Sequence, residues 1–268
     1  RERSACMELA DQIHVLTYGF AATFPEKMQN QVSVLPNPAD INRGPLSGSG
    51  KNKRKILLGV GRFEENPKQF SFLIRAFALI ADSFPDWDLR LCGNGRSFEE
   101  YVTLTARLGL SQRVQFPGTV TDVPAEYAQA EVFCIPSKIE GFPIVCVEAQ
   151  SFGLPIVGFA ACSGVNEIVI AGENGLLVDD MSAEALAGAL GKIMQDDSLR
   201  ERMSLRSREL VGRYESEPIF DAWDELLSRV ASTARPTRME RIENGLEASD
   251  AARELLGRAH PFDRRAYV

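Results

Sequence analysis

Two cations and two carboxylates in this chain have the types and spacing needed to hold a small polyanion that also carries hydroxyl groups. Arg62 and Lys68 follow the apolar run Lys55–Val60 and the turn residue Gly61, around the start of a helical pattern. Arg brings a directed fork of donors and Lys a mobile point charge, a pair suited to a diphosphate. The same two residues also read as ordinary solvated loop charges. Gly93 and Gly95 flank Asn94 after the run Leu89–Cys92, where glycine permits a tight turn or a close backbone approach. Neither a full GxGxxG nor a Walker loop is present.

The richest segment is 136–148. Pro136 to Pro143 follows a buried apolar run, includes Glu140, Gly141 and Phe142, and leads into a helical pattern that carries Glu148. Pro143 suits a first helical turn, where its missing N–H is not needed. Free amides at Phe142, Ile144 and Val145 would then face outward to receive phosphate oxygens. Glu148 sits among Val145, Val147 and Ala149, a poor place for an unpartnered carboxylate. Vicinal hydroxyls of a ligand would satisfy it; an ordinary helix-face Glu is the alternative.

The elements that position these groups follow from periodicity. Lys55–Val60, Asp88–Cys92, Val114–Phe116, Val132–Ile135, Pro155–Val157 and Gly175–Val178 read as short strands. Helical patterns separate them at Phe70–Ala81, Phe98–Leu108, Val123–Gln129, Ile144–Phe152, Gly164–Ala171 and Ala183–Gln195. This alternation predicts an α/β domain on a parallel sheet, whose ligands bind beyond the carboxyl ends of the strands. The four segments at 59–68, 93–95, 118–122 and 136–143 all fall at such ends. Upstream, Ile13–Thr17 and Gln31–Leu35 read as strands and Asn42–Lys53 as a loop. Downstream, Ser198–Val211 and Pro218–Val230 read as helices, with Trp223, Leu226, Leu227 and Val230 on an apolar face of the second. From Thr233 the chain is Arg-rich and loses regularity, and Met239, Ile242 and Leu246 suit one amphipathic turn set; the tail reads as a surface helix, a partner contact or a disordered segment.

Bulk properties exclude several classes. The 268 residues carry a net charge of -7, which argues against a dedicated nucleic-acid binder with a basic face. No apolar run reaches the roughly 20 residues of a membrane span, and no secretory signal opens the chain. The five cysteines, Cys6, Cys92, Cys134, Cys146 and Cys162, form no CxxC pair, and Cys92 and Cys134 lie in apolar runs as buried thiols of a reducing compartment would.

Residues 140–148, EGFPIVCVE, resemble the Glu-x7-Glu signature of the retaining GT-B glycosyltransferases of family 4, the glycosyl transferases group 1. The flanking VGRFEENPKQFSFLIRAF, LRLCGNG, VQFPGTVTDVPAEYAQAEVFCIPS and SGVNEIVIAGENGLLV agree in order, and the resemblance runs from about Ala10 to Ser228. It implies two Rossmann-like domains, of which the C-terminal one binds a nucleotide sugar such as a UDP- or GDP-sugar without a catalytic metal. By resemblance, Arg62 and Lys68 match the pair that holds the donor diphosphate and stabilises the leaving group. Glu140 matches the Glu beside the transferred sugar, and Glu148 the Glu that binds the ribose hydroxyls. Gly141, Phe142, Pro143, Ile144 and Val145 match the segment over sugar and phosphates; Gly61, Gly93 and Gly95 line the donor, and the base lies near Val120 and Pro136. One departure is local: Lys68 stands one position further from Arg62 than the commonest family spacing, with Gln69 where Gly or Asn is frequent.

On this reading, residues 1–38 are the end of an N-terminal acceptor-side domain and 39–54 a linker. Residues 55–195 are the nucleotide-sugar-binding domain, 196–232 C-terminal helices and 233–268 a tail. The earlier N-terminal sheet and its acceptor groups are not among these residues, so the chain reads as the donor half, incomplete as an enzyme by itself. Its partners are then the nucleotide sugar, a hydroxyl acceptor, and a missing N-terminal domain or complementary subunit. The implied place is the cytoplasm, including the inner membrane face through peripheral association, in envelope or exopolysaccharide synthesis. His14, inside a strand, and His260, in the tail, fit no catalytic position. A non-catalytic nucleotide-sugar or partner-binding module is the second reading; a bilobal phosphorylase or epimerase is a third.

Overall fold

The computed structural model describes residues 7, 10–41 and 54–232. Cys6, the stretch Asn42–Lys53, the segment from Thr233 with Met239, Ile242 and Leu246, and His260 lie outside the described residues. The chain divides into two compact units, Arg1–Leu35 with Phe220–Val268, and Pro36–Ile219.

In the first unit, β1 (Ile13–Val15) and β2 (Val32–Val34) pair in parallel. The strand expected to reach Thr17 stops at Val15 because the Thr17 hydroxyl accepts from the Phe20 amide and caps α1 (Tyr18–Ala21). His14 lies 2.8 Å from the Leu35 carbonyl through Nε2, and its ring packs 4.5 Å from that of Trp223. Both contacts are structural.

The second unit is built on a six-stranded parallel sheet. Its strands are β3 (Lys55–Val60), β4 (Trp87–Cys92), β5 (Val114–Gly118), β6 (Val132–Ile135), β7 (Ile156–Phe159) and β8 (Gly175–Val178). They are ordered β5-β4-β3-β6-β7-β8. The intervening helices are α2 (Glu65–Lys68), α3 (Phe70–Ile80), α4 (Phe98–Arg107), α5 (Val123–Gln129), α6 (Ile144–Ser151), α7 (Ser163–Ile168) and α8 (Ala183–Gln195). Helix α9 (Asp197–Leu210) follows, then α10 (Ser216–Ser232), which runs from this unit into the other.

Successive strand side chains alternate faces, so one strand feeds two cores. Leu57, Val132, Cys134 and Val157 join Phe77, Leu186 and Leu190 of α3 and α8. Leu58, Phe133, Ile135 and Ile156 join Tyr127, Val147 and Val165 of α5, α6 and α7. Burial on both faces explains why these strands read as continuous apolar runs.

The chain builds outward from β3 through β4 to β5, then returns to place β6 on the other side of β3. Ligands of open α/β sheets bind at such a reversal. Here it sets the segment after β3 beside the segment after β6.

Helix boundaries moved where caps or turns intervened. The helix expected over 164–171 ends at Ile168, because Val169 is extended and the Asn174 side chain accepts from the Ile170 amide. Helix α9 begins at Asp197, capped by the Asp196 carboxylate on the Leu199 amide. In α10, Leu226 is buried but Leu227 is 58% exposed, since adjacent helical residues point about 100° apart. Among the described residues no helix is long and apolar enough to cross a membrane.

Candidate functional site

The ends of β3, β4 and β5 are laced together. The Gly61 amide donates to the Cys92 carbonyl at 3.0 Å, Phe63 to Asn94 at 2.9 Å, Ser97 to Phe63 at 2.9 Å and Gly93 to Gly118 at 2.8 Å. These approaches require glycine. A Cβ on Gly93 would lie 1.9 Å from the Gly61 oxygen, and one on Gly95 2.4 Å from the Phe63 oxygen. Beneath the backbone, the fully buried ring of Phe63 is surrounded by Phe70, Phe98, Tyr101 and Phe116 at 5.6–6.2 Å between centroids. Arg62 is therefore exposed on a fixed base, and among the described residues its guanidinium meets no partner.

Glu65 anchors the next turn. Its carboxylate accepts from Ser71 Oγ at 2.5 Å and from Tyr101 Oη at 2.9 Å. Within α2 the chain leaves helical geometry at Asn66 (φ -112°, ψ 112°), and the Asn66–Pro67 bond is cis. It re-enters a helix through Gln69, at φ 52° in the left-handed region, which explains why Gly or Asn suits that position. Among the described residues, Gln69 Oε1 is buried without a hydrogen-bond partner. Gln69→Gly removes both penalties and is expected to raise stability by about 1 kcal/mol. Urea unfolding measures this; a lower midpoint with unchanged slope would contradict it.

The turn faces the segment after β6. The Lys138 amide donates to the Pro67 carbonyl at 2.9 Å, and Lys68 Nζ pairs with Glu140 Oε1 at 2.7 Å, with side chains only 19% and 12% exposed. Pro136 and Ser137 are buried below. Gly164 of α7 packs tightly on this loop, since a Cβ there would stand 2.6 Å from the Glu140 carbonyl oxygen. Gly141 faces open space, and the Phe142 ring meets Tyr214 edge-on at 5.5 Å.

Pro143 is the residue before α6 rather than its first, with φ -76° and ψ 92° and no side-chain cap. Its carbonyl accepts from Cys146, while among the described residues the amides of Phe142, Ile144 and Val145 find no acceptor. Uncapped first-turn amides at the positive end of a helix dipole favour an anion. Val120, Ile144 and Val145 are partly buried against the core that includes Tyr127 and Ile135.

Glu148 differs from expectation in having a protein partner. Tyr127 Oη donates to its Oε2 at 2.8 Å. Burial first, and the Glu148 charge second, push the Tyr127 phenol far above its ordinary range, so it remains a donor. Helix α5 is itself held by Glu126, whose oxygens take Arg90 Nε at 2.5 Å and Nη2 at 2.9 Å; that bond keeps the carboxyl below its usual range. Cys92, Cys134, Cys146 and Cys162 are buried free thiols. Burial raises Cys92 to about 12 and the others above their ordinary value, which disfavours thiolate chemistry. Among the described residues no group of three or more His, Cys, Asp or Glu is placed to hold a metal ion.

The family model for "Glycosyl transferases group 1" matches residues 47–210, more than half of the chain. The chain belongs to this family. It is similar to an uncharacterized glycosyltransferase of Haemophilus influenzae, with 31% identity over 81% of this chain and 61% of the relative. Among solved structures it is similar to a sucrose-phosphate synthase from Thermosynechococcus elongatus, with 26% identity, a TM-score of 0.76, and coverage of 87% of this chain and 61% of that one. Anabaena HepE, solved with UDP and glucose, shares the fold at 22% identity and a TM-score of 0.73, over 85% of this chain and 68% of that one. The chain thus spans about three fifths of the curated relative's length.

In this group 1 chain the structure pairs Lys68 with Glu140 on the loop that leads into α6, with Arg62 on the loop that precedes Lys68. Sequence reading missed the residues that hold them: Phe63, Glu65 and Tyr127. Phe63 and Tyr127 look like ordinary core aromatics in the sequence, and Glu65 like a solvated acid. Only the fold pairs them.

Proposed function

We propose that this chain is the donor-binding part of a retaining glycosyltransferase, acting on a nucleoside-diphosphate sugar and a hydroxyl acceptor. One observation supports it most: at the β3/β6 reversal, Lys68 pairs with Glu140, four residues before the uncapped first turn of α6. Cations and free amides together suit a diphosphate, without a metal. The UDP complex of Anabaena HepE, a protein of the same fold, supports a nucleotide ligand of this class.

In the proposed reaction the nucleoside diphosphate departs from the anomeric carbon as the acceptor hydroxyl attacks from the same face. The anomeric configuration is retained through an oxocarbenium-like state, with no protein nucleophile. Negative charge grows on the departing diphosphate. Arg62, Lys68 and the amides of Ile144 and Val145 stabilise that charge more than the ground state, which is what lowers a barrier. Glu140 orients hydroxyls of the transferred sugar, and Glu148 accepts from the ribose diol. The base lies by Val120 and Pro136, and Gly61, Gly93 and Gly95 let the backbone come close to the donor. The acceptor is held by an N-terminal domain or a complementary subunit, with peripheral membrane association where that acceptor is lipid-linked.

Titration of UDP and GDP by calorimetry, in EDTA, tests the donor assignment. One of them binds the wild type, and the double variant Arg62→Ala, Lys68→Ala binds it at least about tenfold more weakly. Equal affinity of wild type and double variant would remove the diphosphate role.

A further inference from the structure

We propose that Tyr127 is a positioning residue that presets the Glu148 carboxylate for a vicinal diol, and so sets the preference for ribonucleotides. This rests on the proposed donor site and concerns how its glutamate is kept ready. The ring of Tyr127 is 1% exposed and fixed between Phe133, edge-on at 5.9 Å, and Phe152, stacked at 5.7 Å. It has little freedom to follow a moving partner. Its hydroxyl meets Glu148 Oε2 at 2.8 Å from α5, across to α6.

The contact places one carboxylate oxygen and leaves the other for a ligand, since among the described residues Oε1 meets no donor. A free Glu loses appreciable rotamer entropy when a ligand immobilises it. Here the protein has already ordered it, so a diol meets a preset acceptor. The phenol suits this task because it stays protonated. Desolvation and the facing carboxylate both oppose its ionisation, and it donates throughout the working pH range. Arg90 extends the support, holding the neighbouring Glu126 on the same helix.

The test compares a nucleotide that has the diol with one that lacks it. Whichever of UDP and GDP binds more tightly is titrated alongside its 2′,3′-dideoxy form, against wild type, Tyr127→Phe, Glu148→Gln and the double variant. The Phe variant keeps the ring packing and removes only the hydroxyl. The expected result is that Tyr127→Phe lowers the ribo-over-dideoxy preference about fivefold, through weaker binding of the ribonucleotide alone. Glu148→Gln lowers it at least as far, and adding Tyr127→Phe to Glu148→Gln changes it little further.

Equal weakening of both nucleotides in Tyr127→Phe would mean a structural role only, and would overturn the inference while the donor reading stands. So would an unchanged preference in Tyr127→Phe when Glu148→Gln abolishes it. If Glu148→Gln leaves the preference intact, or neither nucleotide binds the wild type, the ribose assignment fails and takes this inference with it.

Discussion

Phe63→Ala is expected to destabilise the Pro36–Ile219 unit by about 3–5 kcal/mol, the usual loss for a fully buried phenylalanine. The ring has no exposed surface and is surrounded by four aromatic rings, three of them in the fixed helices α3 and α4. Removing it leaves a cavity that these neighbours cannot fill without leaving their own rotamers. The consequence extends to binding because the backbone of Phe63 is the next link after Arg62. Its amide and carbonyl are both committed, to Asn94 and Ser97. Phe63→Leu keeps most of the volume and should lose about half as much. Urea unfolding of wild type and both variants gives the stability order. A loss below about 1 kcal/mol for the alanine variant would mean that the aromatic cluster collapses freely, and that Arg62 does not depend on it.

Much of this frame was legible in the chain itself. Lys55–Val60, Val132–Ile135 and Gly175–Val178 form strands over the very residues whose apolar runs predict them. Val123–Gln129 and Ala183–Gln195 form helices to the residue as well, because Asp122 and Ser182 cap them through their side chains. Less legible were edges decided by a single hydrogen bond, such as the Thr17 cap that shortens β1. Strand order was not legible in the βα alternation, which is compatible with several orders; only the resemblance to a Rossmann-like domain implied it. That order is what makes Lys68 and Glu140, 72 residues apart, an ion pair, and joins Tyr127 to Glu148 across 21 residues. The types of the site residues could be read in the sequence, but their pairings could not.

The ion pair gives the two glutamates of the motif opposite expected effects on nucleotide affinity. Glu140 pairs with Lys68 at 2.7 Å, with little exposure of either side chain. A diphosphate that uses Lys68 must compete with that carboxylate. Glu140→Gln removes the competing charge, so UDP or GDP is expected to bind about three- to tenfold more tightly, up to about 1.4 kcal/mol. Turnover should move the other way. Without the carboxylate that orients the sugar, the donor is misaligned, and a displacement of about 1 Å can lower kcat by roughly 10². Glu148→Gln should instead weaken the same nucleotide by about tenfold and raise the donor KM, with kcat little changed, because a ribose contact is present in both ground and transition states. Calorimetry with the free nucleotide and donor-saturation kinetics of the transfer reaction measure the two sides separately. If Glu140→Gln weakened nucleotide binding, the Lys68–Glu140 pair would be support for the anion site and not a competitor for it. If kcat stayed level in that variant, Glu140 would have no part in aligning the sugar.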